Sequence, residues 1–234
     1  MKPIIVIPTY NERANIIKLI PTLFALKIPE LQVIIVDDNS PDETAHEVEI
    51  LQDKFPVHLI KRLRKLGLGT AYLTGFKKAL ALNADIIFEM DADFSHDPAD
   101  VPRLIDALVK LEGAELAIGS RRVDGGKIIG WNIRRHCTSF IAMTIARIML
   151  GLKTKDVTSG FRAYRRPVLE AILKQSITSN GYAFQEEMLF HAEKMNWKII
   201  EIPVTFIDRK IGQSKLSTAD ILEFFRVMWR LRKQ

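Results

Sequence analysis

Over its first 120 residues the chain alternates short β-branched apolar runs with longer stretches of helical period, and this alternation limits the possible folds more than any other feature. The runs at 4–7, 33–36, 57–60, 86–88 and 116–118 read as buried strands, and the segments at 15–26, 42–54, 68–82 and 98–111 read as helices. Strand alternating with helix requires right-handed crossovers, hence an α/β fold with a mostly parallel central sheet flanked by helices. Asn11 and Ser40, the latter three residues before Glu43, are expected to cap the first two helices. Ligands of such sheets bind outside the carboxyl ends of the strands. The residues to examine are therefore Pro8-Thr9-Tyr10-Asn11-Glu12, Asp37-Asp38-Asn39-Ser40 and Asp91-Ala92-Asp93.

After Ser120 the rhythm breaks. Residues 121–130 read as a basic, Gly-rich loop, 132–150 as a helix, 156–166 as a compact polar segment and 184–196 as a helix. A strand is expected at 199–206, a charged loop at 207–217 and a last helix at 218–232. No repeat or linker divides the chain, so one domain spanning 1–234 is expected, its second half completing a site begun by the first.

Lys and Arg number 34 against 28 Asp and Glu, a net charge of +6, which suits an anionic partner. Nucleic acid fits poorly, because the cations are spread among acids and the aromatics lie within apolar runs. The single Cys137 excludes an intramolecular disulfide framework and suits a reducing, cytoplasmic compartment. The longest apolar stretch, 137–152, is interrupted by Arg147 and falls short of the roughly 20 residues that span a bilayer. The last helix sets Ile221, Leu222, Phe224, Phe225, Met228, Trp229 and Leu231 against Arg226, Arg230, Arg232 and Lys233, a composition that suits an anionic membrane surface and equally a helix packed on the sheet.

Asp91 and Asp93 are hard oxygen ligands suited to Mg²⁺ or Mn²⁺ that also binds substrate phosphates, although the pair would equally serve as a helix cap. Asp37-Asp38 stands where dinucleotide-binding folds place a ribose-binding acid, yet the first turn lacks Gly-x-Gly-x-x-Gly, which argues against hydride transfer. Gly67-Leu68-Gly69 reads as a turn, and His96 as a structural residue.

In order along the chain come Ile7-Pro8-Thr9-Tyr10-Asn11-Glu12, Val36-Asp37-Asp38-Asn39-Ser40, Lys65-Leu66-Gly67-Leu68-Gly69-Thr70-Ala71 and Asp91-Ala92-Asp93. Together they resemble the family 2 glycosyltransferases of GT-A fold. Gly119-Ser120-Arg121, Asp156 to Arg162, Gly181 to Met188 and Asp208 to Leu216 narrow the resemblance to the dolichyl- or polyprenyl-phosphate mannose synthases. The resemblance implies a nucleotide-sugar-binding half at 1–120 and an acceptor-binding half at 121–234. It implies GDP-mannose as donor, a polyprenyl or dolichyl monophosphate as acceptor, and inversion to a β-linked product. Pro8, Tyr10, Glu12 and Asp38 would hold the guanosine, and Asp91 and Ala92 would line the donor. Asp91 and Asp93 would sit at the metal, with Ser95 beside them where some relatives carry Gln. Arg121, Arg209 and Lys215 would face the phosphates and act with Asp93 in transfer. Glu186 and Glu187 would contact sugar or orient a basic side chain. Phe140 stands where many relatives have an arginine.

A place on the cytoplasmic face of a membrane is expected, held peripherally or through a membrane-anchored partner. Two other readings remain open: transfer of glucose from UDP-glucose to polyprenyl phosphate, and a non-catalytic protein that binds a lipid surface.

Overall fold

Strand β1 (Pro3–Thr9) divides its side chains between two apolar cores, Ile4 and Val6 facing one and Ile5 and Ile7 the other. A parallel strand covered by helices on both faces has no polar side, which is why 4–7 is a continuous apolar run. The computed structural model describes residues 1–111, 113–181, 183–208 and 218–234. From β1 the chain runs through α1 (Arg13–Ala25), β2 (Gln32–Asp37), α2 (Thr44–Gln52), β3 (Val57–Lys61), α3 (Leu68–Ala81) and β4 (Ile86–Glu89). A 3-10 turn at Pro98–Asp100 leads into α4 (Val101–Lys110) and then β5 (Leu116–Ser120). There follow β6 (Lys127–Ile129), α5 (Ile133–Leu150), β7 (Arg162–Arg165), α6 (Arg166–Leu173), α7 (Phe184–Lys194), β8 (Ile199–Pro203), β9 (Thr205–Ile207) and α8 (Thr218–Arg232).

The main sheet has the order β3-β2-β1-β4-β7-β5-β8 and is parallel except for β7, which is antiparallel to both neighbours. Helices α1, α2 and α4 supply the core on one face, and α3, α5, α6, α7 and α8 that on the other. The five strands expected in the first half all form, and the carboxyl ends of β1, β2, β3 and β4 share one edge.

The second half departs from expectation. Residues 156–166 contain β7, which inserts between β4 and β5 and sets Arg162 opposite Glu89. Residues 121–130 are not wholly loop: β6 pairs with β9 in a separate two-stranded sheet. The strand expected over 199–206 breaks at the buried Val204, beyond which the chain leaves the main sheet. The unexpected α6 follows β7 directly.

The expected caps also differ. Ser40 does not cap α2, which follows Glu43 in left-handed backbone at φ 64°. The first two strand-to-helix turns lie side by side and satisfy each other instead. Asn11 N donates to Ser40 Oγ at 3.0 Å, Glu12 N to Thr44 Oγ1 at 3.1 Å and Arg13 N to Asp42 Oδ2 at 3.1 Å. The amide of Arg13 that opens α1, and the two amides before it, are thus satisfied from the neighbouring turn.

Helix α3 lies so close to β1 that a Cβ on Gly75 would stand 2.2 Å from Val6 Cγ1. Gly75→Ala is expected to destabilise the protein by about 1–3 kcal/mol in urea denaturation, the usual cost of overpacking a closed core. Stability within about 0.5 kcal/mol of the parent would show that α3 can lift off the sheet.

Candidate active site

The two acids that end β2 have different tasks. Asp37 is buried and accepts hydrogen bonds from Thr9 Oγ1 at 2.9 Å, Ser40 Oγ at 2.6 Å and Ser40 N at 2.9 Å, so it ties the first two strand ends together. Asp38 Oδ1 accepts from Arg62, whose Nη1 donates to Thr70 Oγ1 at 2.7 Å and whose Nη2 donates to Gly67 O at 3.2 Å. The segment 62–70 therefore wraps Asp38. Tyr10 is 40% exposed and lies with its ring 4.2 Å beneath Lys65 Nζ. Glu12 Oε2 accepts from Asn15 Nδ2 at 2.6 Å. Pro8, Tyr10, Glu12 and Asp38 thus come from adjacent strand ends and their turns. Sequence reasoning did not name Arg62, yet it follows the carboxyl end of β3 and the same strand-end rule points to it.

Beyond β4, Asp91 Oδ1 accepts from the buried Tyr72 hydroxyl at 3.2 Å, and Asp91 N donates to His96 Nδ1 at 3.3 Å. Ser95 N donates to Asp93 Oδ1 at 3.0 Å, and Ser95 Oγ donates to the same oxygen. Between them Phe94 takes φ 59°, a left-handed conformation rare for a bulky residue, in the turn by which Ser95 reaches back to Asp93. Ala92 is buried in the core beneath. His96 is buried and stacks on Phe161 at 5.0 Å. Burial lowers its pKa, against the raising charges of Asp91 and Asp93, so it stands as a neutral acceptor and not as an acid. That agrees with its structural reading.

Arg121 is held firmly by the second half. Its Nε and Nη2 donate to the two Asp156 oxygens at 2.8 and 2.6 Å, and Nη2 also donates to Thr158 Oγ1 at 2.7 Å. Burial pushes the Asp156 carboxyl up, but the Arg121 charge and its hydrogen bonds outweigh this and leave the pKa below the ordinary value. The guanidinium lies 5.2 Å from the Phe206 ring and 5.7 Å from Trp131, and the same Trp131 carries Arg135 at 4.5 Å. The charges of Asp91, Asp93, Arg121 and Asp156 all act on His96, which places them in one neighbourhood. Arg209, Lys215 and Tyr182 lie outside the described residues. Phe140 is 59% exposed on α5.

Two buried carboxyls lie behind the site. Burial pushes Glu186 up to about 7, opposed by a hydrogen bond from its own backbone amide and by the Arg162 charge. Burial raises Glu89 to about 6 against Arg162 and the Tyr164 hydroxyl, which donates to it at 2.8 Å. Glu187 pairs with Arg230, one of the two roles expected for these acids.

Residues 4–173 match the Glycosyl transferase family 2 model. The chain is a family 2 glycosyltransferase. It is 43% identical over 221 residues to the undecaprenyl-phosphate mannosyltransferase of Micrococcus luteus, covering 93% of this chain and 88% of that one. It is 42% identical over 235 residues to the polyprenol monophosphomannose synthase of Mycolicibacterium smegmatis, covering 99% and 88%. Its fold matches glucosyl-3-phosphoglycerate synthase from Mycobacterium tuberculosis, solved with Mn²⁺, UDP-glucose and phosphoglyceric acid, at a TM-score of 0.70. That match has 19% identity and covers 97% of this glycosyltransferase and 80% of the other chain, so the likeness is one of fold. The expected GT-A architecture is the one found.

The raised Glu186 sets a sign for pH dependence. The folded state keeps a proton that the unfolded chain releases between about 4.5 and 7. This group's contribution to stability therefore falls as pH rises through that window. Glu186→Gln is expected to gain stability relative to the parent between pH 5 and pH 8, by on the order of 1–3 kcal/mol in urea melts. A difference equal at both pH values would show a carboxyl that ionises freely.

Proposed function

We propose that this glycosyltransferase moves mannose from GDP-mannose to a polyprenyl or dolichyl monophosphate, inverting the anomeric centre to give a β-linked lipid-phosphate mannose. The observation that carries the reading is identity above 40% with two enzymes named for polyprenyl-phosphate mannose transfer, extending over more than nine-tenths of the chain. The site supports it. The turn of Tyr10 and the paired Asp38 offer a ring face and an acid to a nucleoside, with Pro8 and Glu12 beside them.

Among the described residues no three His, Cys, Asp or Glu side chains form a cation cage. The two carboxylates of Asp91 and Asp93, with the Ser95 hydroxyl on Asp93, fit an Mg²⁺ or Mn²⁺ whose remaining positions go to substrate phosphates and water. When bound, that ion would offset the negative charge of the departing diphosphate. Ser95 orients Asp93, Tyr72 orients Asp91, and Arg121 brings a fixed positive charge to the same neighbourhood. Arg209 and Lys215, outside the described residues, would add cations. A lipid monophosphate is already anionic near neutral pH, so back-side attack on the sugar needs no general base. The neutral, enclosed His96 fits that requirement.

The lipid is reached from the cytoplasmic membrane face by peripheral docking, alone or through a membrane-anchored partner. Among the described residues no helix is long and apolar enough to cross a bilayer. Leu222, Phe225 and Trp229 are exposed at helical spacing on α8, beside the exposed Arg226, Arg232 and Lys233. Arg230 is excluded from this set by its ion pair with Glu187. Helix α5, which packs on α8, adds exposed Ile133, Phe140 and Ile141.

The decisive assay follows labelled sugar from GDP-mannose, with UDP-glucose in parallel, into a short polyprenyl phosphate with Mg²⁺ or Mn²⁺. Mannose transfer is expected, and Asp93→Ala should lower its rate by about 10²–10³ in a folded protein. Transfer from UDP-glucose alone would replace the donor, and near-parental turnover by the variant would remove Asp93 from the metal.

Changing Arg226, Arg232 and Lys233 together to Gln should weaken sedimentation with phosphatidylserine vesicles roughly 10- to 100-fold, since each cation near such a surface contributes about 1 kcal/mol. Unchanged sedimentation would move the docking face elsewhere.

A further inference from the structure

We propose that Glu223 of α8 is a positioning residue for the donor nucleotide: it holds the turn at 178–181 against the first turn of α3, and through it the segment that wraps Asp38. This rests on the reading that Asp38 and Tyr10 receive the nucleotide.

Glu223 Oε1 accepts from Asn180 N at 2.8 Å and from Gly181 N at 3.2 Å. From the interior, the buried Glu187 accepts from Ser179 N at 2.8 Å and Thr178 N at 3.2 Å, and it is paired with Arg230. Residues 223 and 230 are two helical turns apart on one face of α8, so a single helix holds this turn directly through Glu223 and indirectly through the Arg230–Glu187 pair. The turn is in tight contact with α3. Gly69 N donates to Asn180 O at 3.0 Å. A Cβ on Gly67 would stand 2.8 Å from Asn180 O, and one on Gly69 would stand 2.4 Å from Ser179 O. The glycine pair that reads in the sequence as a plain turn is the seat of this contact. Gly67 O in turn accepts from Arg62 Nη2 at 3.2 Å and Thr70 Oγ1 at 2.8 Å, and Arg62 holds Asp38.

A continuous run of hydrogen bonds thus leads from α8 to the nucleotide acid. Without the Glu223 oxygen, the exposed Asn180 amide turns to water and the turn is held from one side only. The segment at 62–70 then has more freedom to lose when the donor binds, and affinity falls. The loss falls on binding the donor and its transition state alike, so it is expected in KM and not in kcat. Both amides use one oxygen, and Gln at this position still offers one.

The test titrates GDP with Mg²⁺ into the full chain and measures steady-state transfer from GDP-mannose. Glu223→Ala should bind GDP about fivefold or more weakly and raise the KM for GDP-mannose with kcat retained, whereas Glu223→Gln, which keeps the oxygen, should stay within about twofold of the parent. Should Glu223→Ala fail to fold, Glu223→Asp, which withdraws the same oxygen by one methylene, should weaken GDP about twofold or more. Parental GDP affinity in the Ala variant overturns the proposal, as do equal losses in the Ala and Gln variants, or a fall in kcat with KM unchanged. Asp38→Ala separates this from the underlying reading. If that variant loses GDP affinity while Glu223→Ala keeps it, only the positioning role fails. If the parent binds no GDP, or Asp38→Ala binds it as the parent does, the nucleotide site and the positioning role fall together.

Discussion

The guanidinium of Arg162, enclosed in the middle of the sheet with no exposed surface, joins the two halves of the chain. A charge buried this way costs several kcal/mol unless every donor is used and opposite charge lies near. Its Nε, Nη1 and Nη2 donate to the carbonyls of Ser159, Gln185 and Val157 at 2.8, 2.8 and 2.9 Å, and Glu89 stands opposite across the β4–β7 pair. Those carbonyls belong to the loop that presents Thr158 to Arg121 and to the first turn of α7. Glu89 precedes Asp91 by two residues. One buried side chain therefore sets the acid motif of the first half against the loop and helix of the second, and the raised pKa values of Glu89 and Glu186 are consequences of the same enclosure.

The polar groups of the site divide into those consumed by the fold and those that the proposed function assigns to substrate and metal. Asp37 and Asp156 are spent internally, one on the first two strand ends and the other on Arg121. Asp38, Asp91 and Asp93 are each oriented by a neighbour: Arg62, Tyr72 and Ser95. Preorganised charge of this kind suits a reaction whose difficulty is the meeting of an anionic nucleophile with an anionic leaving group, because fixed groups need no reorganisation as charge develops. Helix α8 serves both sides of this arrangement. Its outward face is apolar and basic, while Glu223 holds the turn that packs on α3 and Arg230 pairs with Glu187, which bonds that same turn.

Much of the first half is legible in the sequence. The five strands, the α3 helix and the three acidic strand ends followed from local periodicity and from the rule that such sheets bind ligands at their carboxyl edge. What failed was long-range. The β7 segment, with its four residues Arg-Ala-Tyr-Arg, carries no apolar run, because its interior position between β4 and β5 is stabilised by Arg162 and Tyr164 reaching partners elsewhere in the chain. Ser40 has the spacing of a helix cap but finds Asn11, 29 residues away, since two turns happen to lie side by side.

By itself the sequence determined the elements whose stabilising contacts repeat at short period, and it placed the family's motifs in order. Tertiary structure alone decided which buried polar groups meet: Arg62 with Asp38, Arg121 with Asp156, and Glu223 with an amide 43 residues distant. The physical reason is that periodic burial is written in every few residues of a strand or helix, whereas a hydrogen bond between remote side chains depends on the packing of everything between them.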